Sequence, residues 1–535
     1  MAFIPGTNGN DVLNGTNDDD IILGLDGDDL ILGQFGFEYI DGGNGNDTAD
    51  YSYYNGGITS SLTSGGTDFP NDASPTGIDV LVNIENLTGS LGDDVLQGDD
   101  GDNIIMGLDG NDIILGEGGN DTLLGGDGDD IIRGGYGFEY IDGGNGNDTV
   151  DYTYYNGGIV TDLTTGVTDF PTDASPTGVD TLVSIENVIG STGNDIIKGN
   201  SGNNALIGDV GDDQLFGGNG DDILIGGEGN DWIQGGYGFE YIDGGNGIDT
   251  VDYSYYNGGI SSSLTAGGTD FPNDASPTGV DILIGIENLN GSLGDDILQG
   301  DNGDNVIQGL DGNDIILGEG GNDTLLGGAG DDWIQGGFGF EHIDGGTGND
   351  TVDYSYYNGG VDTNLTTGIT DFPNDASPTG VDTLVSIENV VGSGGNDNIT
   401  GNSDNNILLG GEGNDSIFGQ DVDDVLLGEN GNDILVGGLG SDILSGGAGD
   451  DIFKFTSLSD SGAGSFDFIS DFTKGEDLID VSGLGFTGIN NVVPFGTQLA
   501  FYYDGVNDIT AVLSTGSFAF ILDGNVALDN SDFIV

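Results

Sequence analysis

An acid recurs at every ninth residue through long stretches of this 535-residue chain. The first run is Asp11, Asp20, Asp29, Glu38 and Asp47; the second is Asp94, Asn103, Asp112, Asp121, Asp130, Glu139 and Asp148. Three further runs keep the step, with Asn204, Asn305 or Asn406 in second place: Asp195, Asp213, Asp222, Asp231, Glu240 and Asp249; Asp296, Asp314, Asp323, Asp332, Glu341 and Asp350; Asp397, Asp415, Asp424, Asp433, Asp442 and Asp451. Each acid ends a glycine-rich turn such as "GGDGDD" at Gly125–Asp130. Carboxylates beside backbone carbonyls suit a hard cation with a roomy oxygen shell, which is calcium; magnesium wants a tighter octahedron, and transition metals want His or Cys. The chain has one His, His342, and no Cys. Glu38, Glu139, Glu240 and Glu341 break the pattern with an extra methylene, in units that carry aromatics such as Tyr136 and Phe138. They are expected to be weaker ligands in turns widened to pack against a neighbouring loop.

Composition points to the same cation. Asp and Glu number 94 against four strong bases, Arg133, Lys198, Lys454 and Lys474, for a formal charge of -90. So much uncompensated charge favours an expanded chain unless counter-ions bind. Four bases cannot neutralise a phosphate backbone, so nucleic acid is excluded as a partner, as is attraction to anionic lipid. Without Cys there are no disulfides, thiolate metal sites or thiol nucleophiles. His342 stands where other copies have Tyr39, Tyr140 and Tyr241, so it reads as a substituted tyrosine, and one His rules out an H-E-x-x-H zinc site. Nothing marks one pair among the acids for glycoside hydrolysis, and the reading is that the chain is not an enzyme. The start, "MAFIPGTNGND", has neither a basic segment nor an apolar stretch, so no cleavable N-terminal signal is expected, and no apolar run approaches the ~20 residues that span a bilayer.

The elements that must hold the acids are short. Glycines bend the chain, and "DIIL" or "DTLL" supplies a three-residue strand with an apolar centre. Such a strand is stable only when stacked on copies of itself, which is the logic of a solenoid. Nonapeptide runs occupy 1–50, 89–151, 190–252, 291–353 and 392–451. Between them, 51–88, 152–189, 253–290 and 354–391 repeat at 101 residues and most faithfully at 202. In the second copy these segments offer four strand candidates, "DTVDYT", "GIVTDL", "VDTLVSI" and "ENVIGS", read as two wider turns of the same solenoid. The two-proline stretches "DFPNDASPTG" from Asp68, Asp270 and Asp371, and "DFPTDASPTG" from Asp169, are expected to protrude as loops. From 452 to 535 the glycine rhythm stops, and antiparallel strands are expected to cap the open end.

The repeat G-G-x-G-x-D-x-U-x resembles the RTX (repeats-in-toxin) nonapeptide, a calcium-binding β-helix motif. The resemblance implies an all-β fold, a right-handed parallel β-roll with two nonapeptides per turn, and multiple calcium ions held by the sixth-position Asp residues and glycine-loop carbonyls. The tail, with "DFISDFTKGEDLIDVSGL", resembles the C-terminal region of serralysin-type exoproteins. Its end, Asp532, Phe533, Ile534 and Val535, resembles an uncleaved signal read by a type I secretion transporter. The expected function is a secreted calcium-binding structural rod of a cell surface or extracellular matrix, with self-association or a surface polysaccharide as further partners. A carbohydrate-binding adhesin or a non-catalytic accessory module for polysaccharide is the alternative. With two nonapeptides per turn, successive 101-residue copies are offset by half a turn, so successive proline loops should face opposite sides.

Overall fold

Where two glycines precede the acid, the chain turns on backbone angles that other residues resist. Gly126 and Gly128 have φ of 129° and 138°. The next residues form the strand Ile131–Arg133, which pairs in parallel with Ile113–Leu115, Ile132 opposite Ile114. Partners stand 18 residues apart, so two nonapeptides complete a turn and alternate units feed two sheets. The computed structural model describes all residues except 71–77, 172–177, 273–279, 374–379, 463, 487–498, 505–508, 515–517 and 525. Among the described residues there is no α-helix, and none is long and apolar enough to cross a membrane.

The core between the sheets is one apolar side chain per nonapeptide. Ile105, Ile114, Leu123, Ile132 and Ile141 follow at nine-residue steps and all are 0 % exposed. Burying each such side chain contributes about 1.5–3 kcal/mol. The row therefore supplies the cohesion that three-residue strands lack alone. Two compact units make up the chain: Met1–Tyr253 with Gly279–Ile286, and Ser254–Thr278 with Glu287–Val535.

The segments between runs are not two plain wide turns. All four strand candidates of the second copy form, as Thr149–Asp151, Val160–Asp162, Val179–Val183 and Asn187–Ile189. A fifth strand, Val167–Asp169, runs antiparallel between Val160–Asp162 and Val179–Val183. One sheet thus gains three strands, from Tyr140–Asn145 through to Ile196–Lys198. The other gains only Asn187–Ile189, between Thr149–Asp151 and Ala205–Val210. In the first copy the sheets exchange roles: the hairpin Thr59–Ser61 with Gly66–Asp68 joins the sheet of Glu38–Asn44 and Val95–Gln97. Within the second compact unit the same exchange occurs between the hairpins Ser261–Ser263 with Gly268–Asp270 and Asp362–Asn364 with Ile369–Asp371. In each unit, then, the two hairpins leading to the proline loops belong to opposite sheets. Most of each loop, between "DFP" and the final glycines, lies outside the described residues.

Parallel stacking also continues past Asp451, where the sequence suggested antiparallel strands throughout. Asp467–Ile469 pairs in parallel with Ile443–Ser445, and Leu478–Asp480 with Ile452–Lys454. The triplets Asp467–Ile469 (DFI) and Leu478–Asp480 (LID) there take the place of the nonapeptide strand without its glycines. Past Asp451 the antiparallel strands among the described residues are Ala500–Asp504, Ile509–Leu513 and Ala519–Asp523, with one antiparallel bridge between Gly462 and Ser465.

Candidate metal-binding turns

The sixth-position acids stack into ladders. The Asp94 amide donates to Asp112 Oδ1 at 2.8 Å, Asp112 to Asp130 at 2.7 Å, and Asp130 to Asp148 at 2.8 Å. The alternate units do the same, Asn103 donating to Asp121 Oδ1 at 2.8 Å. The second oxygen of each carboxylate turns into the glycine loop. There Asp112 Oδ2 is buried with no hydrogen-bond partner. A Cβ placed on Gly107 would strike that oxygen and stand 2.6 Å from the Gly125 carbonyl oxygen of the next stacked turn. Carboxylate and carbonyl thus converge on one small cradle, which only glycine leaves open. Asp29, Asp47, Asp121, Asp130, Asp148, Asp213, Asp222, Asp231, Asp314, Asp323, Asp332, Asp350, Asp415, Asp424, Asp433, Asp442 and Asp451 carry the same orphaned Oδ2. Burial pushes Asp112 and Asp314 up to about 8, and Asp121, Asp213 and Asp323 up to about 7. A desolvated oxygen without a donor is costly until a proton or a cation meets it. Among the described residues no three acidic or histidine side chains meet at one point. An ion here must therefore take most of its ligands from backbone carbonyls.

Not every sixth-position Asp has an oxygen to spare. Asp94, Asp195, Asp296 and Asp397 stand first in their runs, and a serine four residues earlier donates to both their oxygens; Ser90 N and Oγ reach Asp94 at 2.6 Å. Thr7 and Thr16 also donate through N and Oγ1, both to the single oxygen Oδ2 of Asp11 and of Asp20. Asn103 satisfies its turn with its own amide, which donates to the Glu85 carbonyl at 2.7 Å.

The ladders also contain acids that the nine-residue step does not reach. Asp47, Asp148 and Asp350 donate to Glu85, Glu186 and Glu388, each 38 residues on. Glu38, Glu139, Glu240 and Glu341 donate through their amides to Asp79, Asp180, Asp281 and Asp382, each 41 residues on, at 3.1 to 3.2 Å. Asp442 and Asp451 donate to Asp467 and Asp477 at 3.1 Å. A constant offset in all copies was the available signal. The four glutamates are 2 % exposed with both carboxylate oxygens unpartnered, and burial, then the adjoining Asp180, pushes Glu139 up to about 10. Phe138 lies where a Cβ on Gly178 would be, against the end of the proline loop, and Tyr136 packs edge-on to Tyr154 with centroids 5.8 Å apart. His342 heads the strand His342–Thr347, in register with Thr324 and Thr383.

At the other end of the chain, Asp532 is buried and Phe533–Ile534 pairs in parallel with Leu478–Asp480, while Val535 is exposed.

Residues 5–37, 15–49, 88–123, 124–152, 184–215, 216–251, 290–325 and 317–352 match the family model of the RTX calcium-binding nonapeptide repeat (4 copies). The chain carries RTX calcium-binding repeats. Residues 339–535 match the Peptidase M10 serralysin C terminal family. RTX repeats bind calcium in multiple copies, and the cradles at Asp112 and its equivalents have the oxygen donors that calcium takes. Alginate lyase 7 of Azotobacter vinelandii is 40% identical over 81 residues, 14% of this chain and 10% of that protein. Mannuronan C5-epimerase AlgE2 of the same organism is 41% identical over 96 residues, 15% of this chain and 9% of that protein. The chain thus matches about a tenth of the length of these relatives. The AlgE6R3 subunit of the A. vinelandii mannuronan C5-epimerase, a solution structure, is 33% identical with a TM-score of 0.18, covering 26% of this chain and 78% of that one.

Proposed function

We propose that the chain is a secreted, non-catalytic structural component of a cell surface or extracellular matrix, folded by calcium into a right-handed β-roll whose antiparallel C-terminal strands cap its end. The observation that carries this reading is the orphaned, buried Asp oxygen facing a glycine carbonyl, repeated along both ladders. The ligands would be the Asp residues with such an oxygen, each completed by loop carbonyls. Calcium would enter as the ladder closes, so ligand cage and strands form together. Individual affinities are expected on the order of 10⁻⁴ to 10⁻³ M, the range of extracellular modules. Circular dichroism tests the reading: β-sheet signal should appear with calcium and vanish in excess chelator at neutral pH. Equal spectra in the two conditions would sink it.

Export fits a type I transporter reading Asp532, Phe533, Ile534 and Val535. Deleting these four residues should abolish secretion and leave calcium-induced folding intact. Normal secretion of the truncated chain overturns that assignment.

A second reading rests on exposed aromatics. Tyr136 and Phe338, equivalent residues of two copies, are 64% and 68% exposed, and rings of this kind stack on sugars. The relatives named for alginate and mannuronan chemistry favour a polysaccharide-binding accessory or adhesin role. Glycan-array binding that is lost on Tyr136→Ala and Phe138→Ala would favour it over the purely structural role.

A further inference from the structure

The glutamate turns differ from the aspartate ladder in what faces the carboxylate. In the ladder a Cβ on Gly107 meets the carbonyl oxygen of Gly125, 18 residues on. At the glutamate level the next stacked element is the wide segment, and no glycine carbonyl is among the atoms nearest to a Cβ on Gly33. A Cβ on Gly33 would instead meet Glu38 Cγ at 3.3 Å, Ile40 Cδ1 at 3.5 Å and Asp79 Oδ2 at 3.6 Å. A carboxylate oxygen stands where the ladder has a carbonyl, and the extra methylene of Glu38 reaches toward it. Glu38 Oε1, Glu38 Oε2 and Asp79 Oδ2 are all buried without a hydrogen-bond partner, and the same three atoms are orphaned at Glu341 and Asp382; in the other two copies both glutamate oxygens are orphaned and the aspartate Oδ2 accepts only a tyrosine hydroxyl. One shared proton could satisfy a single contact between the two groups and would leave the remaining oxygens bare. A cation meets all three at once.

We propose that each 101-residue copy holds a second class of cation site, formed by its nonapeptide glutamate together with the wide-segment aspartate. With two carboxylates instead of one and a fully enclosed position, the pair takes calcium more tightly than the ladder turns and prefers a trivalent ion of similar size. It also fastens the run to the hairpin that follows it. The reading of these sites is separate from that of the ladder and can fail independently.

A tyrosine makes the site self-reporting. Tyr152 is 0 % exposed, and its hydroxyl donates to Asp180 Oδ2 at 3.1 Å; Tyr253 does the same to Asp281 at 3.0 Å. Terbium(III) bound there would be excited by energy transfer from the ring. The test is a terbium titration of the full chain, against a variant carrying Asp79→Asn, Asp180→Asn, Asp281→Asn and Asp382→Asn. Asparagine keeps the Oδ1 that accepts the glutamate amide. The variant should lose most of the tyrosine-sensitised emission seen at the first equivalents while keeping its calcium-dependent circular dichroism. Unchanged emission from a folded variant overturns the proposal. Should the variant not fold, emission decay of the wild-type protein in water and in deuterated water decides: bound terbium without coordinated water supports an enclosed site, and a fully hydrated ion overturns it. Calcium-independent folding of the wild-type chain would sink the ladder reading and leave the luminescence result standing.

Discussion

At Asn103 an amide stands where most turns carry a carboxylate. Its Oδ1 accepts from the Asp99 amide at 2.9 Å and its Nδ2 donates to the Glu85 carbonyl at 2.7 Å, so the turn is satisfied without an ion. The same exchange at Asp112 is informative because Asp112 Oδ2 has no donor. Asp112→Asn should cost about 1–3 kcal/mol with calcium present, through loss of one ion, yet raise stability in chelator by removing a buried acid. Thermal unfolding in calcium and in chelator reads both arms, and lower stability in both would contradict the cradle. Most sixth-position acids were legible because the period is strict. Which of them keep a free oxygen was legible too, though in a different residue: Ser90, Ser191, Ser292 and Ser393 stand where the second glycine normally is. Asp79 and Glu85 could not be read from the period, since an insertion resets it, and only the constant offsets in the later copies betray them.

The elements depend on what each short strand buries and on how closely the turns approach. Ile132 is 0 % exposed at the centre of a three-residue strand, so Ile132→Ala should cost about 2–5 kcal/mol. Denaturant unfolding in saturating calcium checks this; a loss under about 1 kcal/mol would mean the row is not the core. Gly107→Ala should be equally harmful, for its methyl would strike Asp112 Oδ2, whereas Gly9→Ala meets nothing within 4 Å and should be nearly neutral. Calcium stoichiometry distinguishes the two, falling only for the first. The repeated nonapeptide strands announce themselves by one apolar residue between glycine turns. The strand Val167–Asp169 does not, because its inward residue is Thr168, 0 % exposed and hydrogen-bonded to Thr161 at 3.0 Å. A buried polar pair inside a hairpin carries no hydrophobic signal, and the neighbouring prolines disguise it further. The strands Asp467–Ile469 and Leu478–Asp480 were recognisable as strands, but their direction was not, because triplets of this length pair equally well either way until the turns around them are known.

On the scale of the molecule, protons and calcium compete for the same oxygens. Without calcium, burial lifts Asp148 to about 6, Asp121 to about 7 and Asp112 to about 8 in the folded chain, against roughly 3.9 when unfolded. The folded state then holds protons that the unfolded state has released, so its stability is fully present below about pH 4 and is lost as pH rises through 6 to 8. In chelator, β-sheet circular dichroism should therefore be stronger near pH 5 than near pH 8. With calcium the order reverses, since acid displaces the ion. A signal independent of pH in chelator would contradict the burial of these acids. The hairpins carry a consequence of another kind. Each adds two more strands to one sheet than to the other, a difference of roughly 10 Å at the usual strand spacing, and in each compact unit the second hairpin falls in the opposite sheet. The repeat consequently has a parity. A duplication or deletion of a single 101-residue copy would hand every later residue to the other sheet and leave the mismatch standing, whereas a change by two copies is silent. Lineages of such chains should gain and lose these repeats in pairs.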